Sequence, residues 1–221
     1  MGAVLGEIFG SVVGVAISPV PIIAVILMLF SAKARSNGVS FVLGWLIGLL
    51  LAGGVVLAIG LEASEGGASD TTGVIKIVIG ALFLFLGWKQ WTGRPQGDEE
   101  PQMPAWMASI DDFTAAKSLG LAFVLAAVNP KNLGLTIAAV ATIGSSGLET
   151  SEEIIVLVVF ALLASLTVLV PVIWYLIAGS SAEDQLNVMK NWLVANNNTV
   201  MAVLFIVLGA KVLGDGIAII A

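Results

Sequence analysis

The stretch "AAVNPKNLGL" (residues 126–135) places an asparagine, a proline and a lysine inside a run that is otherwise apolar. Proline within a helix removes a backbone donor and clashes with the preceding turn, so a helix through Pro130 should kink or break. Asn129 is a good N-cap residue, and proline is favoured at the first helical position. The stretch therefore predicts that a new half-helix begins at Pro130, with Lys131 in its first turn.

A second stretch, "AISPVPIIAV" (residues 16–25), repeats this pattern with a serine before the first of two prolines. Two half-helix N-termini would then point toward the membrane midplane from opposite sides, and such ends favour anions. The two stretches predict a site for a carboxylate or phosphate. Its substrate-binding residues are Ser18, Pro19, Pro21, Asn129, Pro130, Lys131 and Asn132. The alternative is that both prolines make ordinary packing kinks, which are common in membrane helices.

The composition predicts an all-α integral membrane protein of the cytoplasmic (inner) membrane. Hydrophobic residues make up 58% of the chain and charged residues 11%, which is too little polar surface for a water-soluble fold. A helix needs about 20 apolar residues to cross a membrane, and continuous apolar runs of this length exclude barrel strands. Six runs fit: 8–30, 39–61, 74–91, 118–143, 154–178 and 199–220.

The chain divides into two halves with opposite predicted orientations. Residues 1–91 form a first three-helix repeat, residues 92–116 a Pro-rich acidic cytoplasmic linker, and residues 117–221 a second repeat. "LGWK" (86–89) and "LGAK" (208–211) occupy corresponding helices, as do the two proline motifs. Helices 1 and 4, which carry those prolines, are expected to be broken, as in inverted-repeat transporters.

Basic residues predict the orientation. Six of the nine fall on alternate connections, which we assign to the cytoplasm, and both termini are then extracytoplasmic. The six are Lys33, Arg35, Lys89, Arg94, Lys117 and Lys190.

Lys131 is the charge that most needs an explanation. A lysine at the bilayer centre costs at least about 2.5 kcal/mol, so it should face the bundle interior or a wet cavity. No acid lies at matching depth in the six runs, which leaves substrate binding or proton exchange as its role.

Other polar residues have simpler interpretations. Lys89 and Lys211 lie near helix ends, where a lysine can reach the interface, although a gating role stays open. Glu7, Lys211 and Asp215 are expected near the outer face, where they can form ion pairs. We expect Ser165 and Thr167 to bond back to their own helix. Five glycines are expected at close helix contacts: Gly44, Gly48, Gly80, Gly87 and Gly134.

Several classes of function are disfavoured by absent residues. The chain has no cysteine and no histidine, which argues against metal sites and attached haem, and we expect no cofactor. No "GxxxxGK[ST]" phosphate loop is present, so ATP cannot be used directly. No basic patch points to nucleic acid, and we expect no enzyme activity.

With "SPVP" in the first run, "NPK" in the fourth and six helices in two halves, the chain resembles the LysE superfamily of exporters. Members commonly carry glycine between the two prolines, where this chain has Val20. The text around both motifs is most similar to the GAP or Sap branch, the peptidoglycolipid addressing proteins. That resemblance implies export or translocation of a lipid or glycolipid.

The sequence as a whole predicts a transporter for an anionic amphiphile, held at a midplane site between helices 1 and 4. An exporter of small amino acids or related metabolites is one alternative, and a non-transporting scaffold for envelope assembly is another. The expected partners are a lipid or small anionic substrate and the membrane, and the apolar outer faces permit a homodimer. A gradient or downhill flow would drive transport.

Overall fold

Helices account for all regular structure in the computed structural model, which describes residues 1–59, 70–95 and 105–221. The all-α prediction is therefore confirmed for these ranges. The α-helices are α1 (Gly2–Ala16), α2 (Pro19–Leu29), α3 (Ala34–Ala58), α4 (Asp70–Thr92), α5 (Ala115–Phe123), α6 (Pro130–Gly144), α7 (Thr150–Ala164), α8 (Leu166–Ala178) and α9 (Glu183–Ile220). Short 3-10 helices cover Ala105–Asp112 and Gly179–Ala182, and a π-helical turn covers Val124–Val128.

Two helical stretches in the described ranges, Ala34–Ala58 and Leu166–Ile220, are long and apolar enough to cross a membrane. Two bent pairs pass the same test together. Their helices meet at 52° in Gly2–Ala16 with Pro19–Leu29, and at 59° in Ala115–Val128 with Pro130–Gly144. The part of the chain that the structure describes thus has two candidate spans, or up to four if each bent pair is one span. These apolar helices are those of a membrane-embedded protein; six spans in an inverted repeat stay a prediction.

Both bends coincide with the proline motifs. Pro19 and Pro130 each occupy the first position of a new helix, where the missing N–H is not needed. The residues before Pro130 form the π-helical turn, and the Asn129 N–H donates to the carbonyl of Val124, five residues earlier, at 3.0 Å. In each bent pair the helix axis therefore changes direction at the residue where proline prevents the helix from continuing.

The described helices fall into two compact units, and the first consists of Met1–Ala63 with Met103–Asn191. In this unit α3 packs closely on α5. A Cβ atom on Gly44 would clash with the carbonyl oxygen of Leu119, and one on Gly48 would lie 2.8 Å from the Cβ of Ala126. Only glycine permits this approach of the two backbones.

The predicted linker, residues 92–116, includes ordered structure at both ends. Helix α4 continues to Thr92, and α5 begins at Ala115. Within the 3-10 helix Ala105–Asp112, Met107 and Ile110 are buried, and this helix packs against α2. The buried Asn37 side chain at the start of α3 also donates to the Phe113 carbonyl at 3.0 Å. The division into two repeats and a linker is still a prediction.

The second unit consists of Ser64–Gln102 with Trp192–Ala221. Within it α4 and the last part of α9 run antiparallel, and glycines lie at the crossing. Gly80 approaches Leu213, Gly87 approaches Ile206 and Gly209 approaches Leu84.

The predicted glycine contacts are mostly confirmed. Gly44, Gly48, Gly80 and Gly87 all lie against a neighbouring helix. The prediction is wrong for Gly134, because no described residue of another helix lies within 4 Å of the position its Cβ would take.

Candidate functional site

The two proline motifs meet in a chain of hydrogen bonds between Lys131, Ser18 and Asn132. The Lys131 ammonium donates to the Ser18 hydroxyl, with 2.6 Å between Nζ and Oγ. That hydroxyl donates in turn to Oδ1 of Asn132 at 3.0 Å, and Nδ2 of Asn132 donates to the Leu125 carbonyl at 2.9 Å. The sequence predicted these three side chains at one site, and the structure brings them together.

The first turns of two helices hold these residues in place. Ser18 lies at the N-cap of α2, while Lys131 and Asn132 lie in the first turn of α6. Because α1 packs against α6, the break between α1 and α2 lies beside the first turn of α6. Asn132 is fully buried and Ser18 is 5% exposed, so water cannot replace their mutual hydrogen bond.

The two N-caps behave differently. The Asn129 side chain accepts the Lys131 N–H at 3.0 Å, as expected of a cap. Ser18 occupies the corresponding position but makes no side-chain cap bond. An N-cap hydroxyl normally accepts from the second or third residue of the helix. Here the third is Pro21, which has no N–H, so only the N–H of Val20 is available for a cap bond. The Ser18 hydroxyl bonds instead to Lys131 and Asn132.

The number of free backbone N–H groups at the two helix N-termini is smaller than the sequence motifs suggest. Pro19 and Pro21 remove two of the N–H groups that the first turn of α2 would present. In α6, Pro130 has no N–H and the N–H of Lys131 is taken by Asn129. The helix N-termini thus offer fewer backbone donors to an anion than the sequence motif implies, and the Lys131 side chain becomes the main one.

The Lys131 charge has no acidic neighbour among the described residues. The one ion pair within 4.0 Å in those ranges joins Lys211 to Asp215 at 2.9 Å. Lys131 itself is half-buried, so its surroundings are not sealed. An ammonium group has three donors, of which Ser18 uses one, and two remain for another acceptor.

The Thr167 hydroxyl lies at the break between α1 and α2. Thr167 donates to the carbonyl of Ala16, with 2.6 Å between the oxygens. The expectation that Thr167 bonds to its own helix is therefore wrong, because Ala16 ends α1 and its carbonyl lacks a helical partner. Ser165 does bond to its own helix, at the Ala161 carbonyl, as predicted. No spacing signal in the sequence pairs Thr167 with Ala16.

One further polar atom near this site has no partner in the described residues. Thr136 is fully buried, and its hydroxyl makes no hydrogen bond there. It lies one helical turn after Asn132, on the same face of α6. In the sequence, only the spacing of four residues between Asn132 and Thr136 indicates that Thr136 lies near the site.

The other predicted residues lie elsewhere or act through the backbone. Pro19 and Pro21 are buried and shape the start of α2. Glu7 is exposed on α1, nine residues before Ala16, which corresponds to roughly 14 Å along the helix. Lys89, Lys211 and Asp215 belong to the second unit.

The chemistry of the site fits an anion better than a metal ion. It presents an ammonium, a hydroxyl and an amide, whereas divalent cations prefer several carboxylates or imidazoles. Across the described ranges, no three acidic, histidine or cysteine side chains gather as a metal site would require.

No curated protein and no solved structure matches the chain. A family model does match, over residues 9–218, and its description is Sap, sulfolipid-1-addressing protein. The match covers both proline motifs and nearly the whole chain, and it confirms the resemblance to the GAP or Sap branch. The chain therefore belongs to the Sap, sulfolipid-1-addressing protein, family.

Proposed function

We propose that this protein is a transporter that moves an anionic amphiphile across the membrane, with Lys131 receiving the anionic head. The observation that carries this proposal is the half-buried Lys131 ammonium at a helix break, with two donors that Ser18 does not use. A charged side chain inside an apolar helix is energetically unfavourable, so a lysine at such a position usually serves a function. The family description, which names sulfolipid addressing, supports a lipid with an acidic head.

The surface beside Lys131 favours a lipid over a small soluble metabolite. Gly134 and Ala138 follow Lys131 at three and seven positions, and both are exposed. Residues at this spacing lie on one face of a helix. Because nothing lies within 4 Å of a Cβ on Gly134, the described part of the chain leaves room for an acyl chain beside the head-group site.

In this proposal each bent pair is one broken span, and the two halves form an inverted repeat with both termini outside the cytoplasm. Contacts of α4 with α9 support the repeat. Gly87 of "LGWK" contacts the residues seven and three positions before Gly209 of "LGAK", namely Ala202 and Ile206. Gly209 in turn contacts the residues seven and three positions before Gly87, namely Gly80 and Leu84. The two motif glycines thus take equivalent places at one interface.

The mechanism follows from the donor arrangement. The head group would displace no ion pair, since it binds the two remaining donors of Lys131 while Ser18 holds the ammonium in place. The tail would stay along the exposed face of α6. Rocking of the two halves would then expose the head to one side of the membrane and afterwards to the other.

A flux assay in proteoliposomes tests this function. The substrate is a fluorescent lipid with one sulfate ester, and its appearance in the other leaflet is followed by quenching from outside. Lys131→Gln should slow transport by at least about tenfold, because the half-buried charge that binds the head is lost. Lys117→Gln, an identical change at an exposed helix start, should leave the rate unchanged.

The assay also separates the alternatives. Normal lipid transport by Lys131→Gln would refute the site. If the wild type releases a preloaded amino acid but moves no lipid, the protein is a metabolite exporter. If it moves neither, the scaffold interpretation gains and the transporter proposal fails.

A further inference from the structure

We propose that the break between α1 and α2 binds a single alkali-metal cation through uncharged oxygen atoms. This site takes the opposite charge to the one that the Lys131 ammonium binds, and it goes beyond the proposed function because it needs no lipid substrate. The evidence is a set of oxygen atoms at the break that have no donor among the described residues.

The last turn of α1 presents backbone carbonyls that are not used by the helix. The hydrogen-bond ladder of α1 ends where the Ile17 N–H donates to the carbonyl of Val13 at 2.9 Å. In the described ranges the carbonyls of Gly14 and Val15 receive no backbone donor, although both residues are buried. The end of α1 therefore contains buried acceptors that need a partner.

Helix α2 does not supply the missing donors. Pro19 and Pro21 have no N–H, and the N–H groups of Ser18 and Val20 donate to neither carbonyl. Backbone groups without a partner are unfavourable inside a membrane, and broken helices are tolerated there where another group satisfies them. A bound ligand is one way to satisfy the carbonyls of α1.

Two threonine hydroxyls from other helices add oxygen atoms at the same level. Thr167 of α8 gives its proton to the Ala16 carbonyl, and its oxygen keeps its lone pairs for another contact. Thr136 of α6 is fully buried, and its hydroxyl makes no hydrogen bond within the described part of the chain. The preceding residue, Leu135, contacts Gly14, so Thr136 lies level with the last turn of α1.

The chemistry of these groups fits a monovalent cation. The C-terminal end of a helix carries partial negative charge, which favours a cation. In transporters with broken membrane helices, the carbonyls at such ends coordinate Na⁺. A divalent cation would need carboxylates, and no group of three acidic side chains is found in the described ranges. Water is the rival partner for these oxygens, but its binding does not depend on which salt is present.

Lys131 lies at the same break and carries a like charge. Its ammonium donates to Ser18, so it should repel a cation held by the end of α1. An anion at Lys131 would offset this repulsion, and each of the two ligands should then strengthen binding of the other. For the same reason, Lys131→Gln should bind the cation at least as tightly as the wild type.

Binding of radioactive sodium and rubidium ions to the full-length protein in mild detergent tests the site, with rubidium standing in for potassium. The buffers have equal ionic strength, and N-methyl-D-glucamine replaces the alkali ions in the reference buffer. The wild type should bind at least one of the two tracers saturably. Thr136→Val keeps the size of the side chain and removes its oxygen, so it should raise the Kd at least about tenfold.

Thr142→Val is the matched control on the same helix, because the Thr142 hydroxyl bonds to the Ala138 carbonyl of its own turn at 3.0 Å. It should bind the tracer like the wild type. Reversible unfolding in the same buffers gives a second measurement. The alkali salt should raise the free energy of unfolding of the wild type, and Thr136→Val should lose this increase. In the reference buffer Thr136→Val should be at least as stable as the wild type, because a buried hydroxyl without a partner is removed.

The possible results separate this inference from the proposed function. If the folded wild type binds neither tracer saturably, or if Thr136→Val binds the ion as tightly as Thr142→Val, the cation site is refuted and the lipid site stands. Loss of cation binding in Lys131→Gln would also contradict it, since that change removes a like charge. If Lys131→Gln transports lipid normally and still binds the cation, the proposed function fails and the cation site stands.

Discussion

Replacement of Ser18 by alanine is the sharpest test of the site's construction. The Ser18 hydroxyl accepts from Lys131 at 2.6 Å and donates to Asn132 at 3.0 Å, so the change removes both hydrogen bonds. Ser18 makes no cap bond, and a loss of stability therefore cannot come from capping of α2. Since Asn132 is fully buried, its Oδ1 would be left without a donor.

The expected magnitude follows from these contacts. A hydrogen bond to a charged group contributes about 1.5–3 kcal/mol, and a buried acceptor left without a partner costs about 1–3 kcal/mol. Measured side-chain hydrogen bonds in membrane proteins are weaker, at about 0.6 kcal/mol on average. We therefore expect Ser18→Ala to lower the free energy of unfolding by about 2 kcal/mol, with the sum of the two upper values, about 6 kcal/mol, as the limit.

The assay is reversible unfolding of the purified protein in mixed micelles. Ser36→Ala is the matched control, because the exposed Ser36 hydroxyl bonds only to the Lys33 carbonyl of its own turn. That change should alter the free energy of unfolding by less than about 0.5 kcal/mol. A double-mutant cycle of Ser18→Ala with Lys131→Met isolates the contact between the two side chains. Equal effects of Ser18→Ala and Ser36→Ala, with no coupling to Lys131, would refute the hydrogen-bonded chain.

Two glycine positions give further predictions. Gly134→Phe should reduce lipid transport by about tenfold, equivalent to ~1.4 kcal/mol on the barrier, by filling the face beside Lys131; Gly120→Phe, at an equally open position, should transport normally. An unchanged rate for Gly134→Phe would show that the tail lies elsewhere. Gly44→Ala should lower the free energy of unfolding by at least about 2 kcal/mol, because its Cβ would meet the backbone of α5. Gly54→Ala on the same helix, with nothing within 4 Å, should be neutral or stabilising in the same unfolding assay, and equal losses at both positions would contradict the close packing.

Cap chemistry was only partly predictable. Asn129 caps α6 as its sequence position indicates, because an N–H is present at the second helical position. Ser18 makes no such bond, although Val20 at the second position of α2 also has an N–H, and its hydroxyl bonds instead to Lys131 and Asn132. This difference cannot be read from "SPVP" itself, because it depends on the contact with α6.

Contacts between distant segments could not be predicted from local patterns. Thr167 bonds to Ala16 across 151 positions of sequence, and neither residue type nor spacing indicates the pairing. Gly134 has the composition of a contact glycine but lies at an open face, because the neighbouring helices pack on the other side of α6. A glycine in an apolar run shows only that no side chain is present there. It does not indicate whether a neighbouring helix packs at that position.

The sequence by itself determined the helical class, the start of new helices at Pro19 and Pro130, and the presence of an expensive lysine beside one of them. These features are local, since they follow from the backbone chemistry of proline and from transfer of residues into an apolar medium. Only the tertiary structure decided that the Lys131 ammonium meets Ser18 and Asn132, which donors are already used, and where a face is left open. Those outcomes depend on how α1 and α6 pack, because a hydrogen bond between segments more than 110 residues apart is fixed by packing and has no local signature.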